Sequence, residues 1–250
     1  MLVLITGATS GIGRSTAELF ASHGHNIIIA GRRHERLTEV KKTLESKYAV
    51  KVIALRLDVR NHEEVESVIN SMTPELKKID VLVNNAGLAA GLSAIQDGDI
   101  GHWERMIDTN LKGLLYVTRV VSNLMIANKK GHIINIGSVA GKEVYANGNV
   151  YCATKHAVDA LNKGMRIDLL PYGIKVTAVN PGMVETEFSV VRFDGDEERA
   201  KKVYMGMQPL TPEDIAETIY WAALRPAHVN INDIVIMPAM QASATNVLRK

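Results

Sequence analysis

The chain has 250 residues, 46% of them apolar and 22% charged, with a formal net charge of +2. That balance builds a sizeable core and excludes a disordered polymer. Lys and Arg are spread along the sequence, which argues against a nucleic-acid protein, whose positive charge gathers in a patch.

The chain opens on an apolar run, Leu2 to Thr6, with no basic region ahead of it and too few apolar residues for a signal peptide. Thr6-Gly7-Ala8-Thr9-Ser10-Gly11-Ile12-Gly13 comes next and leads into a helical pattern over 11–23. Gly7 makes a tight turn, Gly11 lets backbone approach a phosphate, and Gly13 permits close helix packing. The helix start then offers free N–H groups and the positive end of its dipole to a pyrophosphate. A glycine-rich turn without a ligand is the alternative. The position between a strand and a helix, at the head of a βαβ unit, favours the nucleotide.

The second strand, Asn26 to Ala30, ends in Gly31-Arg32-Arg33. An acid at that tip would accept from a ribose 2′-hydroxyl, whereas two guanidiniums suit a 2′-phosphate. The expected cofactor is therefore NADP(H), with solvent-facing arginines as the alternative. A helix over 34–47 sets Leu37, Val40 and Leu44 on one face. The third run, Lys51 to Leu57, ends at Asp58-Val59 ahead of a helix over 61–73. The fourth, Val81 to Val83, ends at Asn84-Asn85-Ala86-Gly87. Open α/β sheets bind ligands at such carboxyl ends. Asp58 suits an adenine amino group, or else a helix cap or turn. Ala86 and Gly87 are small enough for a cofactor to pass close by.

A long helical pattern over 102–127 leads to His132–Ile136 and then Gly137-Ser138. Tyr151 and Lys155 follow in a pattern over 150–170. Four residues apart, they lie about 40° from each other around a helix and share a face. By themselves they are an ordinary pair on a solvated surface. Cys152, beside them, points elsewhere and reads as packing. Pro171 and Gly173 stop the helix. After Lys175 to Val179 and Pro181-Gly182, residues 183–208 show no regular pattern and are the candidate substrate lid. A helix over 211–224 and the run Ile231 to Met237 complete the series.

Seven Val- and Ile-rich runs alternating with helices predict an α/β fold. It is a doubly wound parallel sheet of seven strands with helices on both faces, in one domain over 1–250. The one cysteine excludes an internal disulfide and suits a reducing, cytoplasmic setting. No run approaches the roughly 18 apolar residues of a membrane span. The eight histidines show no metal-ligand spacing, so no metal site is expected.

Together, TGATSGIG at 6–13, NNAG at 84–87, Asn110 in DTNLKG, Ser138, YCATK at 151–155 and PG at 181–182 resemble the short-chain dehydrogenase/reductases. The resemblance covers nearly the whole chain. The later stretches VRFDGDEERAKKVY, LTPEDIAE and PAHVNINDIVIMP are similar to the NADP-dependent 3-hydroxy acid dehydrogenase group, which acts on serine, allo-threonine and 3-hydroxypropionate. This implies a Rossmann-type fold and an NADP(H)-dependent oxidoreductase that interconverts an alcohol and a carbonyl.

The resemblance also implies roles. Tyr151 would be the general acid/base, with the Lys155 ammonium favouring its phenolate. Ser138 would hydrogen-bond the substrate oxygen, and Asn110 would hold a water near the lysine, with a helix-kinking Asn bonded to backbone as the compatible alternative. Cofactor contacts would run over Gly7, Thr9, Ser10, Gly11, Ile12 and Gly13, then Arg32 and Arg33. They would continue through Asp58, Val59, Asn85, Ala86 and Gly87 to Tyr151 and Lys155, and end on Pro181, Gly182, Val184 and Thr186. A hydroxy acid would be held by Ser138, Tyr151 and a cation for its carboxylate. Arg192 is the candidate, with a surface pair to Asp194 or Glu197 as the alternative. The small residues Ala153, Ala157, Ala160 and Gly164 form either an internal strip or a subunit interface, and the resemblance favours a homotetramer. Rival readings are a carbonyl reductase for a sugar, a sterol or a 3-oxoacyl thioester, and a cofactor-sensing protein without chemistry. The intact Ser138, Tyr151, Lys155 and Asn110 argue against the last.

Overall fold

Apolar runs that do not alternate need cover on both faces, and the chain provides it. The computed structural model describes all 250 residues. Its strands are β1 (Leu2–Thr6), β2 (Asn26–Gly31), β3 (Val52–Arg56), β4 (Val81–Asn84), β5 (His132–Ile136), β6 (Lys175–Pro181) and β7 (Asp233–Ile236). They form one parallel sheet in the order β3-β2-β1-β4-β5-β6-β7. The order reverses direction between β1 and β4, which opens a crevice at their carboxyl ends.

The two faces of each strand feed two separate cores. On one side Val3, Ile5, Ile27, Ile29 and Val83 pack against α1 (Gly11–Ser22), α2 (His34–Lys47) and α9 (Pro212–Ala223). On the other, Leu4, Ile28, Leu82 and Ile133 pack against α3 (His62–Asn70) and α5 (Gly113–Asn128). Val3, Leu4 and Ile5 are all at most 1% exposed, so three consecutive side chains each contribute about 1.5–3 kcal/mol of burial.

Local chemistry sets the helix ends. Asn61 caps α3 by accepting from the Glu64 N–H at 3.1 Å. Thr211 and Asp214 form a reciprocal capping box on α9, with Pro212 in its first turn. The helix α6 (Asn149–Asp168) ends in a short turn over Leu170–Tyr172, and Gly173 takes a φ of +67°. No helix is long and apolar enough to cross a membrane.

Three expected elements differ. The helix expected over 102–127 is α4 (Ile100–Ile107) and α5 joined by a wide π-turn over Asp108–Lys112. Hydrophobic spacing does not reveal such a turn, because the backbone stays in the right-handed region throughout. Residues 183–208 contain two short helices, α7 (Phe188–Arg192) and α8 (Glu197–Lys202). They are too short to show a period of 3.6. β6 continues to Pro181, whose missing N–H is tolerated because it closes the strand.

Candidate functional site

A cleft of about 510 Å³ lies at the carboxyl ends of the strands. Every candidate residue lines it except Gly13 and Asn110.

The floor of the cleft is built from two turns bonded together. Gly7 follows β1 with φ +67°, a conformation that side chains disfavour. Its carbonyl and that of Thr6 accept from Asn85 Nδ2 at 3.1 and 2.9 Å. In return, Thr6 Oγ1 accepts from the N–H groups of Asn85 and Ala86 at 3.1 and 3.0 Å. Gly13 sits behind this joint rather than in the cleft. A Cβ there would collide with Asn85 Nδ2 and stand 2.6 Å from the Gly7 carbonyl. Its expected ligand contact is thus corrected to support of the turn.

The two arginines at the tip of β2 differ. Arg32 is exposed and makes no hydrogen bond or ion pair. Arg33 is fully engaged. Its Nε and Nη2 donate to Thr9 Oγ1 at 3.2 and 2.7 Å, and Nη2 also reaches Ser10 Oγ at 3.0 Å. Its Nη1 meets Glu187 at 3.3 Å. Asp58 caps no helix. Arg60 grips its carboxylate with Nε and Nη2, the shortest contact being 2.6 Å. The Arg60 hydrogen bond keeps the Asp58 carboxyl below its usual range.

Tyr151, Lys155 and Ser138 come together as expected, each at most 9% exposed. Lys155 Nζ donates to the Ile136 carbonyl at 2.9 Å and lies 5.9 Å from the centre of the Tyr151 ring. Ser138 Oγ accepts from the Ala140 N–H at 3.1 Å, which leaves its own proton available to a ligand. Phe188 meets the Tyr151 ring edge-on at 5.7 Å.

Asn110 sits in the π-turn, and its side chain is saturated. Nδ2 donates to the Leu88 carbonyl at 2.8 Å and to Thr154 Oγ1 at 3.1 Å, while Oδ1 accepts from the Leu88 N–H at 2.8 Å. It joins the loop after β4 to α6. A Cβ added at Gly87 would stand 3.3 Å from Asn110 Oδ1 and 3.7 Å from Lys155 Nζ, so Asn110 lies directly behind these two lining residues.

Arg192 does not form the surface pair weighed as its alternative. Asp194 is taken by His102 at 3.2 Å and Arg105 at 3.1 Å, and no ion pair joins Arg192 to Glu197. Arg192 Nε donates instead to the Gly91 carbonyl at 3.2 Å, and the guanidinium lies 5.7 Å from the Tyr145 ring.

The family model for short chain dehydrogenases matches residues 1–197. The chain belongs to the short-chain dehydrogenase family. This dehydrogenase is 49% identical to an NADP-dependent 3-hydroxy acid dehydrogenase of Salmonella typhi over 98% of the chain and 97% of that protein. A namesake from Schizosaccharomyces pombe is 45% identical over 99% and 96%. Sulfoacetaldehyde reductase 2 of Chromohalobacter salexigens is 46% identical over 96% and 95%. Among solved structures, the closed form of a serine dehydrogenase complexed with NADP+ superposes with a TM-score of 0.93 at 46% identity, covering both chains fully.

Burial governs the protonation of the dehydrogenase's central pair. It pushes the Tyr151 phenol well above its usual range, and Tyr145 adds to this. The Ser138 hydroxyl and the Arg192 charge offset it only in part. It also pulls the Lys155 ammonium down to about 8. Among the chain's own groups burial therefore outweighs the hydroxyl and the charge that favour the phenolate. Desolvation wins because both ions lose water and the ammonium is turned to a carbonyl.

Sequence reasoning missed several lining residues. Tyr145, Phe188, Tyr204 and Gln241 all face the cleft of the dehydrogenase. They come from a loop, the two-helix segment and the C-terminal tail; only Tyr204 falls in a stretch quoted for the resemblance, VRFDGDEERAKKVY, and that stretch gives it no role. Gln241 Oε1 accepts from the Met183 N–H at 2.8 Å. Tyr204 donates to the Val184 carbonyl at 2.8 Å. The strip Ala153, Ala157, Ala160 and Gly164 is not internal. Ala153 and Ala160 are exposed, and Gly164 has no neighbour within 4 Å of an added Cβ.

Proposed function

We propose that this chain is an NADP(H)-dependent dehydrogenase of short 3-hydroxy acids, with residues 183–208 as the substrate lid of one domain spanning 1–250. One observation carries the substrate class. Arg192, a guanidinium without a carboxylate partner, lies 5.8 Å from the ring of Tyr151 in the same cleft. A substrate anion would supply the missing charge while its hydroxyl or carbonyl met Tyr151. The names of the relatives support this reading.

The residues fit a phosphorylated dinucleotide. Gly7 and Gly11, both at positive φ, expose backbone at the start of α1. Arg32 offers an unpaired guanidinium at the β2 tip, and Arg33, engaged with Thr9, Ser10 and Glu187, stands beside it. When bound, the nicotinamide donates or accepts the hydride. Tyr151, neutral through burial, holds the proton that a forming alkoxide needs. Ser138 donates to the same oxygen and stabilises its developing charge. Lys155 binds ribose hydroxyls and returns the proton to Tyr151, with Asn110 fixing the loop and helix that hold it.

A second reading has support in the similarity to a sulfoacetaldehyde reductase. Arg192 would serve a sulfonate as well as a carboxylate. The deciding experiment follows NADP+ reduction at 340 nm with serine, allo-threonine, 3-hydroxypropionate and 2-hydroxyethanesulfonate beside uncharged alcohols of equal length. Faster turnover of the uncharged alcohols would refute the anion clamp. We also infer a cytoplasmic homotetramer. The single cysteine and the exposed small-residue strip on α6 support it, and sedimentation at the mass of one chain would refute the assembly.

A further inference from the structure

Arg33 reaches a carboxylate from the far side of the cleft. Glu187 stands at the start of α7, 154 positions away in sequence. It meets Arg33 Nη1 through one oxygen at 3.3 Å, and its two oxygens each lie 2.9 Å from Arg36 Nη1. The remaining donors of Arg33 point at Thr9 and Ser10 of the glycine turn. All the nitrogens of Arg33 are thus in use, and the carboxylate of Glu187 takes one of them. A phosphate arriving at this guanidinium meets a negative charge already in place.

We propose that Glu187 is a specificity-determining residue that occupies Arg33 as an internal stand-in for the 2′-phosphate and moves onto Arg36 when the phosphate binds. The inference rests on the NADP(H) reading above. The exchange is easy because the Arg33 contact is the longer one and the Arg36 contacts already exist. The ions are about half exposed, with side-chain exposures of 44% for Arg33, 45% for Arg36 and 48% for Glu187, so no deep desolvation resists the move. Glu187 also lies in the first part of the lid, just ahead of α7. Thr186 beside it lies against the glycine turn, 3.3 Å from where a Gly11 Cβ would stand. Occupancy of Arg33 is therefore felt where the lid joins the sheet. A cofactor without the 2′-phosphate leaves the Glu187–Arg33 contact undisturbed.

The test is calorimetric titration with adenosine 2′,5′-bisphosphate (2′,5′-ADP) and 5′-AMP, fragments that differ only in the 2′-phosphate. Glu187→Gln should tighten 2′,5′-ADP about five- to tenfold, the scale of one exposed charge near a dianion, and leave 5′-AMP within about twofold. Arg36→Met should weaken 2′,5′-ADP because Glu187 then has only Arg33. In the double variant Glu187→Gln/Arg36→Met that weakening should vanish. Unchanged or weaker 2′,5′-ADP binding by Glu187→Gln overturns the proposal. So does an Arg36→Met penalty that persists in the double variant, since Arg36 would then be a phosphate ligand itself. Equal binding of the two fragments by the unaltered chain would instead overturn the NADP(H) reading.

Discussion

The guanidinium of Arg192 lies 5.8 Å from the centre of the Tyr151 ring, and its Nε is tied to the Gly91 carbonyl rather than to an acid. Arg192→Ala should raise KM for 3-hydroxy acids about ten- to a hundredfold. Uncharged alcohols of equal length should change less than about threefold. Arg192→Lys should recover only part of the loss, because a point charge lacks the planar fork. Equal losses for charged and uncharged substrates would remove the clamp from the mechanism.

Tyr151→Phe keeps the ring against Phe188 and deletes the proton. Turnover should fall about 10²- to 10⁴-fold, with NADPH affinity, read by fluorescence titration, changing only slightly. Turnover near that of the unaltered enzyme would assign the acid/base role to another group.

Lys155 makes the fold less stable than it would otherwise be. Burial lowers its pKa from 10.5 to about 8, so the folded chain disfavours the ion that the unfolded chain keeps. The cost, on the order of 3 kcal/mol, is full below pH 8 and fades as pH rises toward 10.5. Lys155→Met should stabilise the chain by about 1–2 kcal/mol at pH 7, after the Ile136 carbonyl loses its donor, and abolish activity. Denaturant titrations should show the gap closing between pH 8 and 10.5. A gap that does not depend on pH would mean that Lys155 keeps its ordinary pKa in the folded chain.

His132 predicts acid sensitivity. It is buried at the start of β5, with Nε2 at 2.7 Å from Thr177 Oγ1 and Nδ1 without a partner. Burial, aided by the Lys175 charge, lowers its pKa from 6.5 to about 3. Above pH 6.5 the imidazole is neutral folded or unfolded. As pH falls toward 3, the unfolded chain takes up the proton first and stability drops, by on the order of 3–5 kcal/mol. His132→Leu should cost about 1 kcal/mol at pH 7 for the lost hydrogen bond. It should then overtake the unaltered chain by pH 4. Parallel melting curves across that range would refute this.

Gly13→Ala tests the joint beneath the cleft. The added methyl strikes Asn85 Nδ2 and the Gly7 carbonyl, so stability should fall by about 1–3 kcal/mol. NADPH affinity should fall as well, because the turn it distorts is the proposed phosphate seat. A variant with unchanged melting temperature and affinity would show that the two turns are less tightly joined than their hydrogen bonds indicate.

The strands and the glycine turn were legible in the sequence because each is a local property. A run such as Asn26 to Ala30 needs burial on both faces whatever else the chain does, and Gly7 needs its turn. Tyr151, Lys155 and Ser138 were legible through a motif held at fixed spacing. The contacts across the cleft were not. Glu187 and Arg33 are 154 positions apart, and no periodicity links the segment after β6 to the tip of β2. The protonation of Tyr151 was also out of reach, since it depends on how deeply the finished fold hides the phenol from water. Spacing placed Lys155 beside Tyr151, but it could not show that the ammonium turns to the Ile136 carbonyl.

The π-turn over Asp108–Lys112 fixes more than the position of Asn110. It sets the rotational phase between α4 and α5. Each residue advances a helix by about 100°, so deleting one residue from this turn would swing Val117, Val121 and Met125, all at most 1% exposed, away from the sheet. Point substitutions here would be absorbed one at a time, whereas a one-codon deletion would re-aim an entire helix. The length of this segment is therefore more tightly constrained than its composition.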